Sequence, residues 1–473
     1  MQRLGGRFHF TRDEQVRNKD VVLALAAQIA SWQSGRLRSE IASAIKDEPR
    51  MAHMRMEYQF QKLVQEPLET LDITSPGLVI VLDALDECDS DYASSLLRLI
   101  SKGLAKLPAA IKFFITSRAE PHLQSHYGKE PMKSRVEIYH LEHENLELVE
   151  RDIETYLRDE LPVMVEPLLG DLSSDWPGET RRLALARKSQ GLFIYATTAA
   201  RILADRNITR DPEKQLERLL SSKDQSHLDN IYGEVMDRAC PETIVNDILI
   251  LFQSVLGALV VAREPINVHT LAYLLRSDSS QQPNFSNHLR MNVLRYLQAV
   301  LVIPGVDTSN AVWDEQPIRF IHTSFIDFLT DSSRCHSRFT VDVAEHHGRV
   351  ATRCFRQMRG LKPNICHLDP SLLNSEVKDL DQRMRENIPL GLRYACVHAA
   401  GHVSQTPPNN RVVEDLVKVF VEEGLMTWLE VLSLMGRAHE AVGIADVLGS
   451  WLKVRSSRIT LYLRATNMLG NIG

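Results

Sequence analysis

The chain has 473 residues, of which 44% are apolar and 25% charged, with a formal net charge of −6. That length allows three or four domains of about 100–200 residues each, and the composition, near the average for soluble globular proteins, excludes wholesale disorder. The acidic balance argues against a generic nucleic-acid binder, whose domains are basic, and six cysteines without a C-x-x-C pair fit free thiols in a reducing cytosol.

The N-terminus, Met-Gln-Arg-Leu-Gly-Gly-Arg-Phe-His-Phe, has no apolar run fit for a signal peptide. Residues 6–11 read as a short strand. Asp20 is placed to cap a helix over 21–32 with apolar residues on more than one face. Residues 34–75 are polar with helical patches, and Pro76-Gly77 is a turn. Leu78 to Leu82 is then a buried strand. A helix follows over 92–104, Pro108 ends it, and Ile111 to Thr116 makes a second apolar strand running into Ser117-Arg118. Val136 to Tyr139 reads as a further strand. Strand, helix, strand is the pattern of a parallel sheet covered by helices.

From residue 146 the pattern turns helical, with apolar residues three and four apart over 147–161, 180–206 and 212–220. Asp211-Pro212 is a helix start, aspartate as cap and proline in the first turn. Helices over 244–262, 268–276 and 287–298 precede two short apolar strands, 300–304 and 317–322, which read as a hairpin; the set predicts a winged helix. The stretch 248–262 is the most hydrophobic in the chain. It is shorter than the roughly 20 residues a membrane span needs, and it contains Gln253, so it reads as a buried helix. From 346 to the end the chain is again helical, with a polar loop at Thr406-Pro407-Pro408-Asn409-Asn410. No repeat of 33–45 residues is present. The expected fold class is an incomplete α/β parallel sheet followed by helical and winged-helix domains, mostly α overall, divided at 1–145, 146–225, 226–345 and 346–473.

The most informative stretch is Leu-Val-Ile-Val-Leu-Asp-Ala-Leu-Asp-Glu-Cys-Asp, residues 78–89. In open α/β sheets ligands bind beyond the carboxyl ends of the strands, and here that end is crowded with carboxylates. Asp83 fits a magnesium ion, which wants hard oxygens and takes only one or two protein carboxylates. Asp86 and Glu87 fit the orientation or deprotonation of an attacking water. The alternative is a strand that runs into a solvated acidic turn. Arg118, at the end of the next strand, fits a cation for a γ-phosphate, or else a surface ion pair. His322, where the last short strand meets the helix 324–330, fits a phosphate donor with a pH-sensitive contact; spacing alone favours a capping or core histidine. His398 and His402 stand one helical turn apart, as zinc ligands do, but without the glutamate of H-E-x-x-H or an evident third ligand; His346-His347 is a weaker pair. The second helix of the winged-helix set, Val268 to Arg276, is nearly all apolar, which disfavours base reading and transcriptional regulation.

Taken in order, Val-Leu-Asp-Ala-Leu-Asp-Glu-Cys-Asp (81–89), Phe-Phe-Ile-Thr-Ser-Arg (113–118), Gly-Leu-Phe-Ile-Tyr-Ala (191–196), Ile-His-Thr-Ser-Phe-Ile-Asp-Phe-Leu (321–329) and Trp-Leu-Glu-Val-Leu-Ser-Leu-Met-Gly (428–436) resemble the NACHT family of STAND NTPases, in particular fungal NLR-like proteins. The resemblance covers about residues 5–440. It implies a cytoplasmic ATP/ADP-dependent signalling switch. Asp83 would be the magnesium carboxylate of a Walker B motif, with Asp86 and Glu87 assisting hydrolysis. Arg118 would be the sensor arginine, and His322 the winged-helix histidine that reads the ADP β-phosphate.

One motif of that family is missing. Gly-x-x-x-x-Gly-Lys-Ser/Thr, the cradle for the phosphates, occurs nowhere in the 473 residues. Gly128-Lys129 is the one Gly-Lys pair; Glu130 follows it, and Leu123 stands in place of the first glycine. The chain therefore resembles the middle of a NACHT protein, either a truncated gene product or a degenerate paralogue, with ATP binding and ATPase activity impaired. The alternative is a non-enzymatic fragment that self-associates or docks onto intact NACHT proteins. No nucleic-acid partner and no membrane span are expected.

Overall fold

The computed structural model describes residues 4–11, 20–32, 35–71, 77–127, 129–130, 132–141, 145–169, 176–205, 211–221, 227–276, 285–304, 316–369, 371, 373–407 and 409–453. Pro76 and Pro408 of the expected turns, Gly128 and the last twenty residues lie outside these. The chain divides into two compact units, Met1–Glu142 and His143–Gly473, each with its own hydrophobic core.

The first unit is built on a three-stranded parallel sheet in the order β1 (Leu4–His9), β2 (Leu78–Asp83), β3 (Ile111–Ile115). Helices α1 (Val21–Ser31), α2 (Gly35–Asp47), α3 (residues 56–69, with a π-turn at Gln61–Gln65), α4 (Ser90–Gly103) and α5 (Pro121–Tyr127) accompany it. Two glycines near the start of β1 let its neighbours come close: a Cβ on Gly5 would sit 2.4 Å from Leu78 Cγ of β2, and one on Gly6 3.1 Å from Leu25 Cδ2 of α1. Asp20 makes no side-chain cap on α1. Its backbone carbonyl accepts from Ala24, and the helix is held by Val21, Val22, Leu25 and Ile29, all buried. Asp89 is a side-chain cap, accepting from the N–H groups of Asp91 and Tyr92, so α4 begins two residues before the apolar pattern does.

Alternation along the strands gives the sheet two unlike faces. Leu78, Ile80 and Leu82 of β2 are fully buried with Ile111 of β3, while Val79 and Val81 on the opposite face are only half-buried. On that second face Leu4 is 48% and Phe114 60% exposed. Parallel sheets are normally buried on both sides, and this one is buried on one. Val136 to Tyr139 is not a strand. It is irregular, with Ile138 and Tyr139 exposed. A strand exists only through a partner, and among the described residues the ladder ends at β3, which pairs with β2 alone.

The second unit is helical. Helices α6 (Leu146–Leu169), α7 (Glu179–Lys188), α8 (Phe193–Ala204), α9 (Pro212–Ser221) and α10 (His227–Ala239) come first. The single helix expected over 180–206 is two, because Gln190 and Gly191 take left-handed backbone (φ 49° and 78°), a break for which glycine is suited. Asp211 caps α9 through Lys214 N–H. Next are α11 (Asn246–Val261), α12 (Val268–Leu275), capped by Asn267, and α13 (Phe285–Asn292), then β4 (Leu301–Val302) antiparallel to β5 (Arg319–Phe320). This is the expected order of three helices and a hairpin, with only two residues per strand. Helices α14 (Thr323–Thr330), α15 (Val343–Met358), α16 (Leu380–Asn387), α17 (Leu390–Ser404), α18 (residues 411–434, with a π-turn at Phe420–Gly424) and α19 (Ala441–Lys453) complete it. No helix among the described residues is long and apolar enough to cross a membrane.

Candidate functional site

The parallel register sets His9 opposite Asp83 and Ile115 opposite Leu82, so the three strands end at one level. Past that level the chains stay tied: Thr116 N–H donates to Leu82 O, Leu85 N–H to Thr116 O and Phe10 N–H to Asp83 O. Asp83 is thereby held between its neighbours. Its Oδ1 accepts from Thr116 Oγ1 at 2.5 Å and its Oδ2 lies 3.0 Å from His9 Nδ1. The Thr116 hydroxyl, helped by His9 and opposed by partial burial, holds the Asp83 carboxyl below the usual carboxylate range. The same hydroxyl accepts from Ala84 N–H at 2.8 Å. Ala84 sits in the left-handed region (φ 56°, ψ 49°), a strain of order 1–3 kcal/mol for a residue other than glycine. It turns the chain sharply into the 3-10 turn Leu85–Glu87.

That turn aims Asp86 at the end of β3. Arg118 N–H donates to Asp86 Oδ1 at 3.0 Å and Arg118 Nε to Oδ2 at 2.6 Å. The Asp86 side chain is 5% exposed and that of Arg118 42%. Glu87 is half-buried in the same turn. Of the five residues singled out in the sequence, four (Asp83, Asp86, Glu87 and Arg118) are thus brought together at the carboxyl ends of β2 and β3. Asp86 and Arg118 are committed to each other. Asp83 keeps a half-exposed side chain.

The fifth, His322, belongs to the second unit, where it is the N-cap of α14: its Nδ1 accepts from Ser324 N–H at 3.1 Å and lies 2.7 Å from Ser324 Oγ. Ser324 Oγ in turn is 2.7 Å from the hydroxyl of Tyr232. Because Nδ1 accepts, the proton of the neutral ring is on Nε2.

His9 and Thr116 carry no chemical signal in the sequence. His9 is a lone histidine in a short strand, and only the parallel register brings it to Asp83, 74 positions away. Thr116 belongs to the stretch that carries Arg118, but its bond to Asp83 needs the two strands side by side.

The other four histidines singled out in the sequence, His346, His347, His398 and His402, are buried in the second unit. His402 Nδ1 is 2.8 Å from His347 Nδ1, and His402 Nε2 is 2.8 Å from the Tyr394 hydroxyl, which accepts from Arg263 N–H. One direction gives every proton an acceptor: Arg263 N–H to Tyr394, Tyr394 O–H to His402, His402 Nδ1–H to His347. Burial pushes the His347 imidazole down to about 4, with Arg263 and His346 adding to the shift, and holds His402 well below the ordinary histidine range. His398 Nε2 lies 3.2 Å from Glu264 Oε2, off the hydrogen-bonding direction. The i, i+4 pair His398 and His402 is therefore engaged with separate partners.

As chemistry, the strand-end site offers one charged, half-exposed carboxylate with a hydroxyl and an imidazole bracing it, and a guanidinium a few residues away. Among the described residues no three histidine, cysteine or acidic side chains are grouped to hold a metal ion. The donor set fits a hard cation that keeps most of its water, such as magnesium, with Asp83 as its carboxylate.

A family model described as Nephrocystin 3, N-terminal, matches residues 6–118. The matched span runs from β1 to Arg118 and so contains every residue of the strand-end site. No curated protein matches the chain.

Proposed function

We propose that the first unit is the Walker B half of a nucleotide-binding domain of the NACHT/STAND type, part of an ATP/ADP-dependent signalling switch. The observation that carries this reading is the placement of Asp83, braced by Thr116 and His9, beside the Asp86–Arg118 pair at the carboxyl ends of two neighbouring parallel strands. Ligands of open α/β sheets bind at that end. In this reading Asp83 would be the carboxylate that holds magnesium, which would supply charge for the nucleotide phosphates. Asp86 and Glu87, in the turn that follows β2, assist hydrolysis by orienting the attacking water. Arg118 serves a γ-phosphate only by exchanging its bond to Asp86 for one to the nucleotide, and His322 keeps the role the resemblance implies for it, the winged-helix histidine for the ADP β-phosphate. Nucleotide binding by these 473 residues is weak, since no glycine-rich loop with its lysine is among them to hold the phosphates.

Two measurements test this. Calorimetric titration with ATP or ADP and magnesium gives no saturation in the low-micromolar range; saturation there overturns the expected deficiency. Manganese, as a surrogate for magnesium, enhances water proton relaxation with the wild-type chain and loses that effect with Asp83→Asn. Equal enhancement in both removes the metal role of Asp83.

A second reading, a non-enzymatic module that associates with copies of itself or with intact NACHT proteins, is favoured by the open face of the sheet with Leu4 and Phe114 exposed.

A further inference from the structure

A cleft of about 500 Å³ opens within the second unit, where α11, α12, α15 and the start of α18 meet. Its apolar wall includes Ala258, Leu274, Leu275, Val350 and Val412. Its other side is basic. Arg349, Arg353 and Arg356 follow one another at i, i+4 and i+7 along α15, so they form one stripe on that helix. Among the described lining residues there is one carboxylate, Glu345, which pairs with Arg349 at 2.6 Å. Among the described lining residues three arginines thus stand against one carboxylate, in a chain whose net charge is −6.

We propose that this cleft binds a small amphipathic anion, with a carboxylate, phosphate or sulfonate head on the Arg353–Arg356 side and an apolar body against Ala258, Leu274 and Val412. The volume lies in the range of small-molecule sites, about 300–1,000 Å³. Guanidinium groups are the side chains best shaped to hold such heads by paired hydrogen bonds. Among the described lining residues there is no Phe, Tyr or Trp, so they give a nucleobase little to stack on, which favours an aliphatic body over a nucleotide. The floor is rigid. His346 is 7% exposed and packs so closely on Gly257 that a Cβ there would fall 2.0 Å from its Nδ1. The site is separate from the strand-end carboxylates, which belong to the other unit, and it holds whether or not that unit binds nucleotide.

The test uses the full chain and two probes, 8-anilinonaphthalene-1-sulfonate and its neutral analogue N-phenyl-1-naphthylamine, titrated by fluorescence. The sulfonate gives saturable one-site binding. The double substitution R353Q/R356Q weakens it about tenfold or more, as loss of charge-assisted hydrogen bonds does. Val412→Trp, at a residue 53% exposed and hence tolerant of bulk, weakens it by filling the cleft without touching the charges. Unchanged far-ultraviolet dichroism and melting midpoints show that both variants remain folded. The proposal is overturned if the sulfonate does not saturate, if the neutral analogue binds as well, or if either variant binds the sulfonate as the wild type does.

Discussion

Arg118 and Asp86, 32 positions apart, close the carboxyl ends of β3 and β2 with two bonds, one from the main chain (3.0 Å) and one from the guanidinium (2.6 Å). The carboxylate is nearly buried and the guanidinium partly open. Burying an acid without a partner costs more than the pair returns, so the pair holds the turn after β2 in place. It also fixes what the arginine can do: any anion that recruits Arg118 must compete with Asp86.

Asp86→Ala therefore loosens the turn before it unfolds the unit. The arginine is more than a third exposed, so solvent screens part of the interaction, and the expected loss is roughly 1–2 kcal/mol. Hydrogen exchange read by mass spectrometry checks it. Amides of residues 83–90 and 115–118 exchange faster in the variant, and those of the second unit do not change. Arg118→Gln shows the same local pattern, and the double variant adds little to either.

Thr116→Val replaces the hydroxyl with a methyl of the same shape and leaves Asp83 without its shortest bond. The folded Asp83 carboxyl lies below its unfolded value. A depressed carboxylate contributes stability that is present above the unfolded pKa, about 3.9, and lost as pH falls through the folded value. The difference in urea midpoint between wild type and Thr116→Val is thus constant from pH 8 to about 5 and narrows below about 4. A gap that does not depend on pH in that range shows that the hydroxyl acts through packing or through Ala84 alone.

The sheet itself is legible from residues. Strands β2 and β3 carry apolar residues that run into polar ones, β1 is the stretch Leu-Gly-Gly-Arg-Phe-His, and all three are found within two residues of their expected limits. What binds those ends together is not. The bonds from His9 and Thr116 to Asp83 and from Arg118 to Asp86 span 74, 33 and 32 positions. They exist only because the strands run parallel in one register. The break between α7 and α8 hides in Gln190-Gly191, since apolar spacing continues across it. Val136 to Tyr139 has strand-forming residues, and strand propensity counts only where a partner strand is beside it. The basic cleft joins α11 and α12 to α15, some seventy to a hundred positions on, so no local window contains it.

The His347–His402 pair makes the second unit sensitive to acid. Both rings lie below the ordinary histidine range. Their neutral forms are needed for the chain of bonds from Arg263 through Tyr394. A depressed histidine contributes stability that is complete above the unfolded pKa of about 6.5 and is lost as pH falls, until the folded pKa is passed. For His347 the window is 6.5 down to about 4, and the loss at its lower end is about 3 kcal/mol. Protonation would set two N–H donors against each other at 2.8 Å. Stability measured in urea falls steeply from pH 6.5 to 4.5. His347→Leu is less stable at pH 7.5, because the His402 proton loses its acceptor, and its decline with acid is shallower. A parallel decline in wild type and variant shows that the acid sensitivity lies elsewhere.

Gly5 tests how closely β1 must approach β2. A Cβ there meets Leu78 Cγ at 2.4 Å and both its methyl carbons within 2.8 Å, and Leu78 is buried with no room to turn away. Gly5→Val adds three carbons at that contact and costs about 1–3 kcal/mol by overpacking. The first unit then loses protection across β1 in hydrogen exchange. Gly5→Val combined with Leu78→Ala recovers part of the loss, because the smaller neighbour makes the space.

Phe114 tests whether the open sheet face is an interface. The side chain is 60% exposed on a strand whose other face is packed, with half-buried Val81 opposite it in the register. Covering a phenylalanine of this kind is worth roughly 1.5–3 kcal/mol, enough to move a dissociation constant by tenfold or more. If copies of the chain meet through this face, light scattering behind size exclusion gives a mass that rises with concentration above 53.7 kDa. Phe114→Lys then shifts the rise to concentrations about tenfold higher. Val163→Lys, at an equally exposed apolar residue of α6 in the other unit, leaves it unchanged. A chain that stays at the monomer mass throughout, or one whose association Val163→Lys weakens as much as Phe114→Lys does, removes the sheet face as the reason for association.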